Sequence, residues 1–275
     1  MTRIRLGQVD YINCLPVYHA LEEGRRPLDL ELVKGTPAVL NRMLLAGELD
    51  CTPLSSIEYA RHPDRLVILP DLCIAADGRV ASILLFSRLP VTELEGQTVA
   101  LTTSSATSVA MLRILLEHYF HVEVRYTAMA PDLDAMLAEA QAALLIGDDA
   151  LRTHHRLADP DVLVTDLGEV WKQFTGDPFV YALWVVRAAF AAEHPRLTSR
   201  LAAALKESRQ AAVADPAPVL AKAAARTGLP GAVIEDYFAT IRLEFDQSYR
   251  RALANFYDWA YKSALIEERV RLDGD

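Results

Sequence analysis

Cysteine is scarce in this sequence, and the few cysteines present are poorly placed to pair. Cys14, Cys51 and Cys73 are odd in number, widely spaced and free of any CxxC pair. A disulfide framework needs an even set of cysteines, and a structural zinc site needs closely spaced ligands. We therefore expect neither a disulfide nor a metal, and this cysteine usage favours the cytoplasm as the compartment.

Long apolar runs are also missing. No window approaches the roughly 18 apolar residues that a membrane-spanning helix needs. Gln8, Asp10 and Asn13 interrupt the apolar residues that follow the basic start of the sequence. We therefore expect no secretory signal and no membrane partner.

Clusters of basic residues and the common nucleotide or nucleophile motifs are absent as well. The formal net charge is −9, and no Lys/Arg-rich run stands out. Binding to nucleic acid through counterion release needs clustered basic residues, so no nucleic-acid partner is expected. Without GxSxG, P-loop or GxGxxG motifs, a hydrolase, a kinase and a dinucleotide enzyme have little support, and no cofactor is expected. A small anionic ligand stays possible, because local donors bind it.

What the sequence does contain is two series of alternating strands and helices in 275 residues, enough for two compact lobes or one large domain. The alternation predicts parallel strand pairing with right-handed crossovers. The first series is predicted as strand 4–9, helix 16–23, strand 30–33, helix 36–46 capped by Thr36, and an extended segment at 50–54. The second is predicted as strand 98–101, helix 105–119, strand 122–126, helix 132–140 and strand 143–146.

Two longer apolar strands, 80–87 and 179–186, bracket the second series, and the remainder to 272 is mostly helical. Two hinge strands around an inserted central lobe would produce this order. Two domains in sequence would produce a similar one, so the pattern alone leaves both arrangements open.

Three predicted strand-to-helix turns are rich in hydroxyl and amide side chains: 10–16, 52–56 and 102–108, the last with six hydroxyl residues in seven. Ligands of open α/β sheets collect at the carboxyl ends of strands, where helix N-termini favour anions. The alternative is that these residues only cap helices, as the capping-box pattern at 55–58 suggests. Asn13 and Asp148 have the same ambiguity, because a turn-forming Asn and a capping Asp are common.

Several motifs, in order along the chain, resemble the chorismate dehydratase family of the futalosine route to menaquinone. The segments that carry the resemblance are 7–16 (GQVDYINCLP), 47–50 (GELD), 53–59 (PLSSIEY), 82–87 (SILLFS), 102–108 (TTSSATS), 144–151 (LLIGDDAL), 166–171 (DLGEVW) and 175–182 (TGDPFVYA). The helical remainder carries no motif of this kind.

The resemblance implies a two-lobed α/β fold of the type-2 periplasmic-binding-protein kind, with two hinge strands and a helical C-terminal region. The outer lobe would comprise 1–86 and 187–275, and the inserted inner lobe 87–186. It also implies an enzyme, a hydro-lyase that dehydrates chorismate to 3-((1-carboxyvinyl)oxy)benzoate. The partner would be a small dicarboxylate, and the oligomeric state stays open.

The expected site residues fall in the turns described above. The predicted catalytic residues are Asn13 and Asp148, and the predicted substrate-binding residues are Ser55, Ser56, Ser82, Ser105, Thr107, Ser108 and Gly147. The base is open at this point: it is either Asp148 or the side-chain carboxylate of the substrate itself.

Two alternative functions stay open. One is the sibling 1,4-dihydroxy-6-naphthoate synthase of the same pathway, an activity associated with a histidine in the cleft, although 144–151 contains no histidine. The other is a non-catalytic cytoplasmic solute-binding protein.

Overall fold

The computed structural model describes residues 3–25 and 28–272, and eleven strands in this part of the chain form two sheets. In chain order the strands are β1 (Ile4–Val9), β2 (Leu30–Gly35), β3 (Cys51–Ser55), β4 (Leu66–Ala76), β5 (Ile83–Ser87), β6 (Thr98–Thr102), β7 (Arg125–Met129), β8 (Ala142–Ile146), β9 (Leu163–Asp166), β10 (Phe179–Arg187) and β11 (Ile241–Arg242). The six-stranded sheet has the order β11-β4-β10-β3-β1-β2, and the five-stranded sheet has the order β7-β6-β8-β5-β9.

Helices connect the strands and form the C-terminal region. They are α1 (Leu15–Glu22), α2 (Pro37–Leu45), α3 (Ser56–Arg61), α4 (Ala106–Leu115), α5 (Leu133–Glu139), α6 (Gly147–Arg156), α7 (Leu167–Thr175), α8 (Ala188–Glu193), α9 (Pro195–Ala214), α10 (Ala217–Thr227), α11 (Gly231–Thr240) and α12 (Gln247–Lys262). The predicted alternation and the helical C-terminal region are confirmed, and β1–β2 and β6–β7 pair in parallel as expected. The sequence patterns did not predict β4, β9 or the short β11.

The strand pairing corrects two of the predicted lobe boundaries. β5 pairs antiparallel with β8 and β9, so 83–86 belong to the five-stranded sheet rather than to the outer lobe. β10 pairs antiparallel with β3 and β4, so 179–186 belong to the six-stranded sheet rather than to the inner lobe. An apolar strand indicates burial on both faces but does not identify its neighbours, which is why the sequence misplaced both.

We name the two halves by their sheets. The outer lobe is built on the six-stranded sheet and the inner lobe on the five-stranded sheet. The chain passes between them at 77–82 and again between β9 and β10. On one side α12 joins the two halves, because Phe174 of α7 packs on Trp259 with ring centroids 4.8 Å apart, and Trp171 packs on Phe256 at 5.9 Å.

Two of the predicted capping interactions do not form. Thr36 and Ser55 occupy the N-cap positions of α2 and α3, but neither side chain accepts a capping hydrogen bond. In the expected capping box, Glu58 pairs with Arg61 instead. By contrast, Ser105 caps α4 by accepting from the Ser108 amide. The Ser55 hydroxyl is therefore not used by its own helix.

The partly buried carboxylate of Glu22 connects α1 to neighbouring elements of the outer lobe. It accepts hydrogen bonds from Gln8 (3.1 Å) and from Lys34 and Lys222, which lie on β2 and α10. Burial alone would raise the pKa of Glu22, but these hydrogen bonds outweigh it and lower the pKa to about 2. An acid stabilised in this way contributes stability above its ordinary pKa, and the contribution is lost as the pH falls toward 2.

Replacing Glu22 by glutamine is expected to lower stability at pH 7 and to flatten its decline between about pH 4.5 and 2. The measurement is urea unfolding of both proteins across that pH range. The matched control is Glu139→Gln, at an exposed position of α5, which should leave the pH dependence unchanged. Parallel curves for the parent and Glu22→Gln would contradict the assignment.

Candidate functional site

A cavity with an empty volume of about 540 Å³ lies where the two lobes meet. Its polar lining residues are Tyr11, Asn13, Ser55, Ser82, Ser105, Ser108 and Tyr181. Its other lining residues are Val9, Pro37, Pro53, Ile74, Val80, Ile83, Ile146, Gly147, Ala182 and Ile241. Within 3–25 and 28–272, no side chain that lines the cavity is charged.

Six of the nine predicted site residues line this one cavity, and they come from both lobes. They are Asn13, Ser55, Ser82, Ser105, Ser108 and Gly147. The other three, Ser56, Thr107 and Asp148, lie behind the wall, where each is bonded to protein groups. The predicted residues therefore converge on one cavity, as lining residues or as residues behind its wall, and their roles toward a substrate stay predictions.

Helix N-termini supply much of the wall. Pro37 begins α2, Ser55 and Ser105 occupy the N-cap positions of α3 and α4, and Gly147 begins α6. The first N–H groups of a helix have no acceptor within the helix, and the helix dipole places partial positive charge there. Several of these N–H groups are already bonded to protein acceptors, among them the amides of Ile57, Ser108 and Gly147. The remaining groups and the helix dipoles favour anions, and none of the described lining residues is a lysine or an arginine.

Ser56 and Thr107 join the lobes behind the cavity. The Ser56 hydroxyl donates to the Val180 carbonyl at 2.7 Å, and its oxygen lies 3.4 Å from Thr107 Oγ1. The Ile57 amide also donates to Thr107 Oγ1, at 3.3 Å. Because the Ser56 proton is used by Val180, the Thr107 hydroxyl is the donor to Ser56. These contacts hold the start of α4 against the start of α3.

Asp148 makes a second connection between the lobes. Its Oδ1 accepts from the Ile12 amide at 2.9 Å, and its Oδ2 lies 3.5 Å from Nε of Arg226. Arg226 in turn pairs with Asp10 at 2.8 Å. Burial raises the pKa of Asp148, while the Ile12 N–H and Arg226 act in the opposite direction. The carboxylate, 3% exposed, therefore points to groups of the outer lobe next to Asn13.

Gly147 allows the two lobes to approach closely. Its φ is +60°, and a Cβ atom at this position would lie 2.9 Å from the Tyr11 ring. Its amide donates to the Ser82 carbonyl at 2.7 Å. Only glycine satisfies both the left-handed backbone and the contact with the ring.

Asp166, at the end of β9, holds in place the segment 77–82 that connects the two lobes. This segment and the start of β5 bring Val80, Ser82 and Ile83 to the cavity wall. The Asp166 carboxylate accepts the amides of Val80 (3.1 Å) and Ala81 (2.7 Å) and also caps α7. At Gly168, a Cβ atom would lie 2.3 Å from the Gly78 carbonyl, so the motif at 166–168 allows this passage to pack against α7.

Three tyrosines of the site were not identified from the sequence. Tyr11 and Tyr181 line the cavity, and Tyr237 of α11 reaches Ser82 from behind it. The Tyr181 hydroxyl and Asn13 Oδ1 are buried without a hydrogen-bond partner among the described residues. Tyr11 lies within a motif and could have been found, but Tyr237 lies in the helical C-terminal region, where no sequence signal indicates it.

The described part of the chain contains no group of three or more His, Cys, Asp or Glu side chains that could hold a metal ion. Between residues 3 and 272, apart from 26 and 27, no helix combines the length and the apolar character needed to cross a membrane.

The amino-acid sequence is similar to those of known proteins. A family model described as menaquinone biosynthesis matches residues 4–262. A chorismate dehydratase of Thermus thermophilus is 34% identical over 265 residues, which cover 91% of this chain and 93% of the relative. A 1,4-dihydroxy-6-naphtoate synthase of the same organism is 35% identical over 182 residues, or 65% of this chain and 64% of the relative.

Two solved structures resemble the fold. A protein of Archaeoglobus fulgidus has a TM-score of 0.81 at 20% identity, with 96% of this chain and 98% of that chain covered. The periplasmic aliphatic sulphonate binding protein of Escherichia coli has a TM-score of 0.69 at 17% identity, with 98% and 95% covered. At these identities the likeness shows the fold alone, which is the two-lobed fold of type-2 periplasmic binding proteins.

Proposed function

Because this chain belongs to the menaquinone biosynthesis family, we propose that it is a chorismate dehydratase, a hydro-lyase that converts chorismate to 3-((1-carboxyvinyl)oxy)benzoate. The observation that carries the proposal is the match to a chorismate dehydratase across nine-tenths of both chains. We propose the cytoplasm as the compartment, since three free, buried cysteines suit a reducing environment.

The cavity suits a molecule with two carboxylates. Its wall combines helix N-termini with hydroxyl and amide groups from both lobes, and these groups bind anions through hydrogen bonds. In the proposed complex, Ser105 and Ser108 of the inner lobe and Ser55 of the outer lobe bind the carboxylates. The apolar residues around them, including Ile74 and Ile146, contact the ring.

The proposed reaction begins with loss of the ring proton on the carbon that bears the enolpyruvyl ether. This carbon is conjugated through a double bond with the ring carboxylate, so the electron pair left behind spreads into that carboxylate. Donors that bind the carboxylate more strongly as its charge grows lower the barrier. The neighbouring C–O bond then breaks, the hydroxyl leaves as water after it receives a proton, and the ring becomes aromatic.

The side-chain carboxylate of the substrate is the proposed base. Among the described residues, the cavity wall carries no carboxylate and no imidazole. Asp148 lies behind the wall, with its oxygens directed to Ile12 and Arg226. A base that belongs to the bound molecule needs only correct orientation, which the fixed wall supplies. We propose that Asn13 holds the departing hydroxyl.

The test is to mix purified protein with chorismate and to separate the products by chromatography. An enzyme of the proposed kind yields the aromatic enolpyruvyl ether and releases one water per chorismate. A non-catalytic binder would raise the melting temperature in the presence of chorismate and leave the compound unchanged, which would refute the proposal. Unchanged chorismate without any thermal shift would refute binding as well.

A further inference from the structure

The segment 79–82, which connects the lobes, turns its side chains alternately to two clefts. Val80 and Ser82 line the cavity of the candidate site. Arg79 and Ala81 line a separate cleft between α6 and α11. At Ala81 the backbone is left-handed, with φ at +62°. This conformation brings Cβ close to a carbonyl oxygen and is unfavourable for alanine, so it persists only where the surroundings hold it.

The surroundings of Ala81 hold its backbone on both sides. Before it, Asp166 Oδ2 accepts from the amide of Val80 at 3.1 Å and from that of Ala81 itself at 2.7 Å. After it, the Ser82 carbonyl accepts from the Gly147 amide at 2.7 Å. The carboxylate of Asp166 is therefore the group that fixes the peptide leading into the left-handed residue.

The conformation of residue 81 determines where the next side chain, Ser82, points. The Tyr237 hydroxyl donates to Ser82 Oγ, with the two oxygens 3.2 Å apart. A hydroxyl that accepts one hydrogen bond still has its own hydrogen to donate. Because Ser82 lines the cavity, this hydrogen can reach an oxygen of a bound molecule. A change of residue 81 to negative φ would rotate the following peptide and move Ser82 from this position.

We propose that Asp166 is a positioning residue, which holds Ala81 in the left-handed conformation and thereby directs the Ser82 hydroxyl at the substrate. The proposal rests on the proposed function, and Asp166 does not line the cavity itself. In the proposed reaction the ring carboxylate gains charge, and a donor already fixed toward it lowers the barrier. A donor that is free to turn elsewhere loses part of this effect.

The test replaces Asp166 by serine and measures kcat/KM for chorismate. Serine is also a good N-cap residue, so it keeps an oxygen for the start of α7, where Asp166 Oδ1 accepts from Gly168 at 2.9 Å. It has no second oxygen for the Ala81 amide. Residue 81 is then expected to leave the left-handed conformation, which is unfavourable for alanine by about tenfold in population. We therefore expect kcat/KM to fall about tenfold.

Glycine at position 81 provides the comparison that separates positioning from a general structural role. Glycine adopts the left-handed conformation readily, so adding Ala81→Gly to Asp166→Ser should restore kcat/KM to within about threefold of the parent. Ala264→Gly is the matched control, because Ala264 is also left-handed, with φ at +54°, and does not line the cavity. It should restore nothing. In a Ser82→Ala background, Asp166→Ser should lower kcat/KM by less than about twofold, because the residue through which it acts is gone.

Two further variants control for folding. Asp246→Ser weakens a comparable cap, since Asp246 accepts from the Ser248 amide at 2.8 Å at the start of α12. It should change the melting temperature and leave kcat/KM at the parent value. Ala81→Val keeps Asp166 and tests the same backbone if Asp166→Ser does not fold. A branched side chain disfavours positive φ, so kcat/KM should fall about tenfold here as well.

Parent kcat/KM in Asp166→Ser or in Ala81→Val would overturn this proposal alone. So would the absence of restoration by Ala81→Gly, or equal restoration by Ala264→Gly, because the loss would then not arise at residue 81. A parent protein that leaves chorismate unchanged would instead refute the proposed function, and the role of Asp166 with it.

Discussion

Replacing Asn13 by alanine is expected to lower kcat for chorismate by about 10²- to 10³-fold, the loss found when one preorganised polar group of a catalytic site is removed. Asn13 lines the cavity on the outer lobe, is 9% exposed, and has a buried amide oxygen with no partner among the described residues. An unpaired buried acceptor is unfavourable unless a ligand supplies the missing hydrogen bond. Steady-state kinetics measure the change in kcat, and calorimetry measures whether the variant still binds chorismate.

The control for Asn13→Ala is Asn255→Ala. Asn255 of α12 donates to Asp177 at 2.7 Å and does not line the cavity, so its loss should affect stability more than turnover. An Asn13→Ala protein that binds chorismate and turns it over at the parent rate would remove Asn13 from the mechanism.

Replacing Asp148 is expected to have the second large effect. Its variants distinguish a structural role, in which Asp148 connects the two lobes, from a role as the catalytic base. Asp148→Ala removes the acceptor of the Ile12 amide and leaves Arg226 without this partner. We expect it to lower the free energy of unfolding by about 1.5–3 kcal/mol, the range for hydrogen bonds to charged groups. Asp148→Asn keeps an oxygen for the Ile12 amide, so its kcat should stay within about tenfold of the parent.

A catalytic base would behave differently. If Asp148 removed the ring proton, Asp148→Asn would lose activity as completely as Asp148→Ala, by about 10²- to 10⁴-fold. Urea unfolding and kcat measured on both variants distinguish the two roles. Equal, severe loss of kcat in the two variants, with the stability of Asp148→Asn unchanged, would restore Asp148 as the base.

Local sequence patterns predicted most of the elements and the turns that line the cavity, because both depend on residues close together in the chain. Strand and helix periodicity gave most element positions, and hydroxyl-rich turns pointed to the cavity where Ser55, Ser105 and Ser108 now lie together. Strand neighbours depend on long-range pairing, so β5 and β10 were assigned to the wrong lobes. The side-chain caps expected of Thr36 and Ser55 do not form either. The sequence pattern for a cap does not show whether the side chain accepts a hydrogen bond from its own helix.

The residues that support the wall were harder to predict than those that form it. Asp166 and Tyr237 act on the cavity from separate elements, through hydrogen bonds to Ala81 and Ser82. Nothing in the sequence near either residue indicates that contact. Asp148 was identified, but its partners Ile12 and Arg226 are 136 and 78 positions away, and only the folded chain shows that its oxygens face them.

The helix N-termini around the cavity bear on how such a site can evolve. Where they are not already bonded to protein acceptors, their donors are main-chain N–H groups of helices that begin near residues as distant in sequence as Pro37, Ser105 and Gly147. A point mutation changes a side chain and leaves the peptide groups in place, so the proposed preference for negatively charged compounds would be inherited with the fold. Selection is then free to vary the intervening side chains, and a lineage can acquire a new substrate or a new reaction without rebuilding its anion recognition.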